Sequence, residues 1–161
     1  MTGAEAHRPR DRFAILRGTP GRVLIILSLI NFINYVDRFV ATSLFPLLKK
    51  ELTLSDFELG LLVPAFLVIH AIFTIPAALL ANRFLKSRLI AVGIALWSTA
   101  TALTALAENY TQLFVFRALI GIGEAVYAPA AAALISAYFI QRDRARAMGV
   151  FNLGLIVGGA V

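Results

Sequence analysis

The sequence lacks cysteine and has few charged residues, and each shortage excludes a class of protein. None of the 161 residues is Cys, and Asp, Glu, Lys and Arg together make up 15% of the chain. The first fact excludes disulfides and thiolate metal sites. The second is unusual for a soluble domain, in which about 25% of residues are charged. Apolar residues make up 60% of the chain, enough for roughly five membrane spans of about 20 residues each. The composition therefore predicts an all-α membrane protein.

The apolar residues occur in long runs separated by short polar segments. Residues 1–22 form a basic tail, which we expect to remain uncleaved because the apolar stretch after it exceeds the core of a signal peptide. Residues 23–161 predict four full transmembrane helices and an incomplete fifth. Pro46 ends the first helix, and Ser55 with Glu58 forms a capping box at the start of the second. The predicted spans are about 23–45, 57–81, 89–107, 112–139 and 147–161.

The positive charges are unevenly distributed along the chain. Lys and Arg total 15 against nine acidic residues, a net charge of +6. Eleven of these cations lie in the tail and in segments 82–88 and 140–146, whereas the alternate connections hold only Lys49 and Lys50. The positive-inside rule therefore predicts a cytoplasmic N-terminus. We expect the membrane to be the bacterial inner (plasma) membrane. This topology explains the net charge without nucleic-acid binding.

Four ionisable residues lie within the predicted spans: Asp37, Arg38, Arg117 and Glu124. Each costs about 2.5–3.5 kcal/mol at the centre of a membrane helix, so such residues are functional by default. Their charges sum to zero, as in a paired network, and at about 1.5 Å per residue the two helices carry them at compatible depths. Arg117 and Glu124, seven residues apart, share a helix face. The pattern predicts a polar cavity between the two helices, and the alternative is a static ion-pair cluster that fixes their packing.

Further polar residues accompany these charges on the first span. Asn31, Asn34 and Arg38 form an i, i+3, i+7 stripe, and Asp37 follows Asn34 by three residues. A buried carboxylate, above all Glu124, is the candidate for proton uptake. The arginines keep their charge, which suits them to hold an anionic substrate group or to gate a carboxylate.

Other features of the spans are better explained by helix packing than by chemistry. His70 lies alone in the second span without a partner. Gly121 and Gly123 follow no strand, so they indicate close helix approach and not a dinucleotide loop, and Gly154-x-x-x-Gly158 indicates the same. No catalytic or metal-ligand set of residues appears in the loops. We therefore expect no enzyme activity, no cofactor and no metal.

Two of the spans contain a distinctive motif around their charged residues. The first span reads N-Y-x-D-R from Asn34 and Tyr35 to Arg38, and the fourth reads R-x-L-x-G-x-G-E-A from Arg117 to Ala125. Both resemble motifs of the spinster-like branch of the major facilitator superfamily. The anion:cation symporter branch has a similar N-Y-x-D-R motif and an E-A-x-x-x-P pattern like that from Glu124 to Pro129. It therefore stays open as the alternative branch.

The connection between the second and third spans resembles the superfamily loop motif G-x-x-x-D-[RK]-x-G-[RK]-[RK]. Arg83 and Lys86 match the motif, whereas Asn82 replaces its acidic residue. Ala78 replaces the first glycine, and Arg88 supplies a basic residue one position after the motif. In the family this carboxylate helps to latch the two halves of the transporter on the cytoplasmic side. The amide therefore predicts a weaker latch.

The resemblance implies that the chain is part of the N-terminal six-helix half of a major facilitator fold. It further implies a secondary, proton-coupled, alternating-access carrier of a small organic or lipid-like solute. Its pathway would include Asn34 and Tyr35 together with the four charged residues. The expected partners are the lipid bilayer, the solute, protons or another coupling ion, and missing C-terminal helices of the same transporter, since we expect this chain to be an N-terminal fragment. The alternative is a non-transporting small membrane protein or truncated product with a structural or regulatory role.

Overall fold

The computed structural model describes residues 14–16 and 18–158, and this part of the chain is helical and contains no strand. A single 3₁₀ turn, Ala14–Leu16, precedes six α-helices. Most of the predicted tail and the last three residues lie outside the described residues. The helices are α1 (Gly18–Ser43), α2 (Phe45–Glu51), α3 (Asp56–Arg83), α4 (Lys86–Thr104), α5 (Tyr110–Tyr138) and α6 (Gln141–Gly158).

Four of these helices are long and apolar enough to cross a membrane: α1, α3, α4 and α5. Large apolar side chains cover their outer surfaces, and Ile75 and Leu79, for example, are 71% and 64% exposed. Such a surface is unfavourable in water and suits contact with lipid or with further apolar helices. The prediction of an all-α membrane fold is confirmed.

The first connection contains a separate short helix that the sequence pattern did not reveal. Helix α1 ends at Ser43, and α2 follows after Leu44 with Pro46 as its second residue. Proline has no backbone N–H and therefore interrupts the helical hydrogen bonds at this point. The capping box before α3 forms as predicted: the Glu58 amide donates to Ser55 Oγ at 3.2 Å, and the Ser55 amide donates to Glu58 Oε2 at 2.8 Å.

The two basic segments, 82–88 and 140–146, are more helical than their composition suggested. The connection between α3 and α4 consists of Phe84 and Leu85 alone. Helix α6 begins at Gln141 and not near residue 147, so its first two turns carry three arginines: Arg142, Arg144 and Arg146. Arg144 donates a hydrogen bond to the Ser136 carbonyl at 2.9 Å, which caps the end of α5.

Helix α5 lies at the centre of the bundle. It packs against α3 and α4, while α1 packs mainly against α6. The largest buried cluster surrounds α5 and includes Trp97 and Tyr127, whose rings meet edge to face with centroids 5.5 Å apart. This packing fixes the position of the polar residues that α5 carries.

Glycine permits the closest of these helix contacts. A Cβ atom on Gly123 would lie 2.7 Å from the Trp97 amide nitrogen and 2.9 Å from the Gly93 carbonyl oxygen. A Cβ atom on Gly154 would lie 2.8 Å from the Phe32 amide nitrogen. Both positions therefore need glycine for close backbone approach, as predicted. In contrast, a Cβ atom on Gly149 would meet nothing within 4 Å.

Candidate functional site

A cavity of about 310 Å³ lies between α1, α2, α3, α4 and α5. It is lined by all four of the charged residues predicted to share one site: Asp37 and Arg38 from α1, and Arg117 and Glu124 from α5. Apolar side chains such as Leu62, Phe66 and Ile120 form much of the remaining wall. The structure thus brings the four charges together in a mainly apolar cavity.

Arg38 and Glu124 form an ion pair between α1 and α5. Arg38 Nε donates to Glu124 Oε2 at 2.7 Å, and Arg38 Nη2 lies 2.5 Å from the same oxygen. The Glu124 side chain is 1% exposed, whereas that of Arg38 is 28% exposed. An isolated carboxylate at this depth would be strongly unfavourable, so the guanidinium is what allows an ionised Glu124 here.

Two aromatic rings contact the Arg38 guanidinium. Its central carbon lies 5.2 Å from the ring centroid of Tyr35 and 5.1 Å from that of Phe66. Both distances are in the range of cation–π interaction. Tyr35, a predicted pathway residue, therefore contacts the guanidinium of the ion pair.

Arg117 and Asp37 are not in ion pairs with any described residue. The Arg117 guanidinium carbon instead lies 5.6 Å from the centroid of Phe45, and its buried Nε has no hydrogen-bond partner among the described residues. The four charges therefore do not form two ion pairs among the described residues. The cavity contains one ion pair, one further cation and one further anion.

Two buried polar atoms near the ion pair lack a partner within the part of the chain that the structure describes. They are Asn34 Nδ2 and the second carboxylate oxygen of Glu124, Oε1. Leaving such a group unpaired costs about 1–3 kcal/mol. Glu124 Oε1 is therefore an acceptor that can still take up a proton or a hydrogen bond.

Asn31, the first residue of the predicted polar stripe, has a structural role. Its Nδ2 donates to the Phe151 carbonyl at 2.9 Å and so joins α1 to α6. It does not line the cavity, because its side chain faces the close α1–α6 contact at Gly154.

Some residues of the site were missed in the sequence. Thr101 and Thr104 of α4 line the cavity, although nothing in the third span distinguishes them from other small polar residues. Tyr127 does not line the cavity, but its Oη donates to the Leu27 carbonyl at 2.6 Å and so joins α5 to α1. A tyrosine in the middle of an apolar span was a usable signal, since a buried hydroxyl needs a partner.

The residues of the loop motif lie at the opposite end of α3 and α4 from the cavity. Asn82 and Arg83 occupy the last turn of α3, and Lys86 and Arg88 the first turn of α4. Asn82, Arg83 and Arg88 are exposed, whereas Ala78 and Lys86 are half-buried. His70 is half-buried beside Phe66, with ring centroids 6.0 Å apart, and does not line the cavity.

Comparison with known proteins relates the chain to membrane transporters. Residues 27–161 match the family model described as Major Facilitator Superfamily. The chain is 30% identical over 136 residues to protein spinster of Drosophila melanogaster, covering 84% of this chain and 22% of that protein. It is 30% identical over 139 residues to a hexuronate transporter of Bacillus subtilis, covering 86% and 33%. With a probable L-galactonate transporter of Escherichia coli it shares 31% identity over 138 residues, covering 86% and 30%.

A solved structure shows the same arrangement of helices. The inward-facing, unoccupied form of a bacterial homolog to the human lysosomal transporter spinster matches with a TM-score of 0.82 and 35% identity, over 89% of this chain and 30% of that one. The chain thus spans about a fifth to a third of the length of these relatives. The matches agree with the expectation of a transporter and not an enzyme. The chain belongs to the Major Facilitator Superfamily, with the predicted similarity to spinster proteins.

Proposed function

We propose that this chain forms part of a secondary transporter that moves a small organic or lipid-like solute across the bilayer by alternating access, with coupling to protons. Family membership supports transport. Because the chain spans a third or less of its relatives, the proposal includes further helices outside these residues, and we call the assembled protein the full transporter. Transporters of this superfamily are built from structural repeats, and the solute binds between these repeats near the middle of the membrane.

The Arg38–Glu124 ion pair in the cavity is the observation that carries the proposal. It joins α1 to α5 through two charged side chains. Charged residues within membrane helices cost free energy, so those that occur there usually have a function. Protonation of Glu124 would remove the negative charge that holds Arg38 and so loosen the contact between these helices. Proton binding would thereby be linked to a change in helix arrangement, as a coupled carrier requires.

The unpaired cation in the cavity supports an anionic solute. Arg117 lines the cavity without an acidic partner among the described residues, and its guanidinium can hold a carboxylate through two parallel hydrogen bonds. The hexuronate transporter and the probable L-galactonate transporter reported above are named for sugar acids, which contain a carboxylate. Asp37, on the same cavity, is a second candidate group on the proton pathway.

We also propose an orientation in the bacterial inner membrane. The cytoplasmic side would hold the N-terminus and the basic ends of α3, α4 and α6. The uneven distribution of Lys and Arg supports this orientation. Since the chain has no cysteine, single cysteines at Ser87 and Glu108 report on the two sides, once any cysteine outside these residues is replaced. In intact cells a membrane-impermeant maleimide should label Glu108→Cys and spare Ser87→Cys. The reverse pattern contradicts the orientation.

Transport is tested with the full transporter in proteoliposomes. The probes are labelled glucuronate, labelled galactonate and a short-chain fluorescent lipid. We expect uptake of at least one probe against its gradient when the pH differs across the membrane, and loss of this accumulation when a protonophore is added. Equal uptake with and without the protonophore contradicts proton coupling, and no uptake of any probe by folded protein contradicts the proposed substrate classes.

The role of Arg117 is tested in the same assay. Arg117→Met should abolish uptake of an anionic probe, because it removes the guanidinium from the cavity. Arg142→Met is the matched control, since Arg142 is exposed at the far end of the bundle. Equal loss in both variants would indicate a general effect of charge and not an anion site.

A further inference from the structure

The short helix α2 covers one end of the cavity. Phe45 and Leu48 of this helix, with Leu44 just before it, form part of the cavity wall. No residue of α2 is fully buried, which distinguishes it from the long helices around the cavity. We propose that residues 44–53, which we name the strap, are a lid that opens and closes this end of the cavity.

The helical conformation of the backbone is interrupted at each end of the strap. At the first end, Pro46 removes one helical hydrogen bond. Thr42 and Ser43 donate their hydroxyls to the Phe39 carbonyl at 2.8 and 3.0 Å, a contact that favours bending of a helix. At the other end Thr53 has a φ of 52°, a left-handed conformation that is rare for a β-branched residue. The strap can therefore move by rotation at two short joints.

Apolar packing and two contacts of charged side chains hold the strap over the cavity. Phe45, Leu48 and Leu52 pack against the buried apolar cluster that includes Leu62. The Phe45 ring lies against the Arg117 guanidinium, 5.6 Å from its central carbon. Lys49 pairs with Asp56 at the start of α3, and their side chains are 41% and 90% exposed. Exposed ion pairs stabilise little, so the Phe45–Arg117 contact is the stronger of the two charged contacts. A leucine at position 45 would keep apolar packing and remove only the aromatic contact.

This arrangement links the strap to the contents of the cavity. Arg117 is the one guanidinium in the described cavity that has no acidic partner, and Phe45 covers it from the side of the strap. An anion that approaches Arg117 must compete with Phe45. Opening of the strap and access to Arg117 are therefore expected to occur together, whether or not a solute is then carried across the membrane.

The labelling rate of a cysteine placed inside the cavity measures how often the strap opens. Thr101→Cys places the reporter on α4 inside the cavity, and Glu108→Cys places a control in an exposed connection. Each is made in the full transporter, free of other cysteines, in nanodiscs that leave both faces accessible. The probe is a small charged methanethiosulfonate reagent, and its reaction rate is followed with each of three side chains at position 45.

Loss of the aromatic contact should accelerate labelling inside the cavity only. With Phe45→Leu, we expect Thr101→Cys to react about 2- to 30-fold faster, the range that follows from the strength of a cation–π contact. Phe45→Tyr keeps an aromatic face and should restore the slow rate. Lys49→Gln removes only the exposed ion pair and should accelerate labelling by less. The rate at Glu108→Cys should not change in any of these proteins.

Two results would overturn the proposal. One is an unchanged rate at Thr101→Cys in both Phe45→Leu and Lys49→Gln. The other is an equal acceleration by Phe45→Tyr and Phe45→Leu, which would mean that shape and not the aromatic contact controls access. Neither result depends on transport, so the lid can fail while the transporter proposal stands, and the reverse also holds.

Discussion

Helix α5 has two faces that are packed in opposite ways. Towards α4 it is in direct backbone contact at Gly123, and towards α1 it lines the cavity with Arg117 and Glu124. Gly123 and Glu124 are neighbours in the sequence, so adjacent residues serve the two purposes. The close contact with α4 leaves α5 little freedom, and this rigidity is what places a buried carboxylate within hydrogen-bond distance of Arg38.

The two faces should therefore respond differently to substitution. On the α4 face there is no room for one added methyl group, whereas the α1 face borders about 310 Å³ of open volume. Steric changes should be decisive on the first face, and changes of charge on the second. The following predictions test this difference, from the largest expected effect to the smallest.

Gly123→Ala should give the largest loss of stability. Its Cβ atom would lie 2.7 Å from the Trp97 amide nitrogen, which requires the backbones of α4 and α5 to separate. We expect the free energy of unfolding to fall by about 3 kcal/mol, at the upper end of the cost of overpacking. Gly60→Ala is the matched control, since a Cβ atom there meets nothing within 4 Å. Similar denaturation midpoints for the two variants would show that the contact between α4 and α5 at Gly123 has room for a methyl group, against this prediction.

Removal of the Glu124 charge should have the next largest effect, and loss of both charges should restore stability. Glu124→Leu leaves Arg38 without its partner, and we expect a loss of about 2 kcal/mol, less than for a fully buried pair because Arg38 is partly exposed. The double variant Arg38→Met, Glu124→Leu should be more stable than Glu124→Leu alone. Strict additivity in denaturant unfolding would show that the two residues are not coupled.

Tyr127→Phe should produce a smaller loss, because it removes one hydrogen bond and keeps the ring. The hydroxyl donates to the Leu27 carbonyl at 2.6 Å between α5 and α1. We expect a loss of about 1 kcal/mol in the free energy of unfolding. Tyr138→Phe removes an exposed hydroxyl from the same helix and should change stability little. If thermal unfolding shows the same effect for both, the buried bond does not stabilise the bundle.

Helical periodicity was enough to predict that two of the charges share one face of a helix. Arg117 and Glu124 were placed on one face because seven residues make two turns of helix, and both line the cavity. The capping box of Ser55 and Glu58 was equally predictable, since it depends only on residues three positions apart. Local geometry along one helix decides these features.

Contacts between helices could not be predicted in the same way. Depth along the helices suggested only that the two spans carry their charges at compatible levels. It could not show that Arg38 pairs with Glu124 while Arg117 lies against Phe45. The pairing depends on the rotation of α1 about its axis, which is set by the contacts of Asn31 and Gly154 with α6 and α1. The short helix α2 was missed because Pro46 was interpreted as the end of the first span and the charged residues from Lys49 to Glu51 as a connection, whereas Pro46 lies in the first turn of α2.

The proposed role of Glu124 is to couple proton movement to solute movement through its pair with Arg38. It is tested most directly by comparing uphill uptake with exchange at equal pH in proteoliposomes of the Glu124→Gln transporter, using the probe that the unchanged protein carries. Glu108→Gln, at an exposed carboxylate, is the control. We predict that Glu124→Gln retains exchange and loses accumulation driven by the pH gradient, while Glu108→Gln retains both. Accumulation by Glu124→Gln at the level of the unchanged protein would contradict this role.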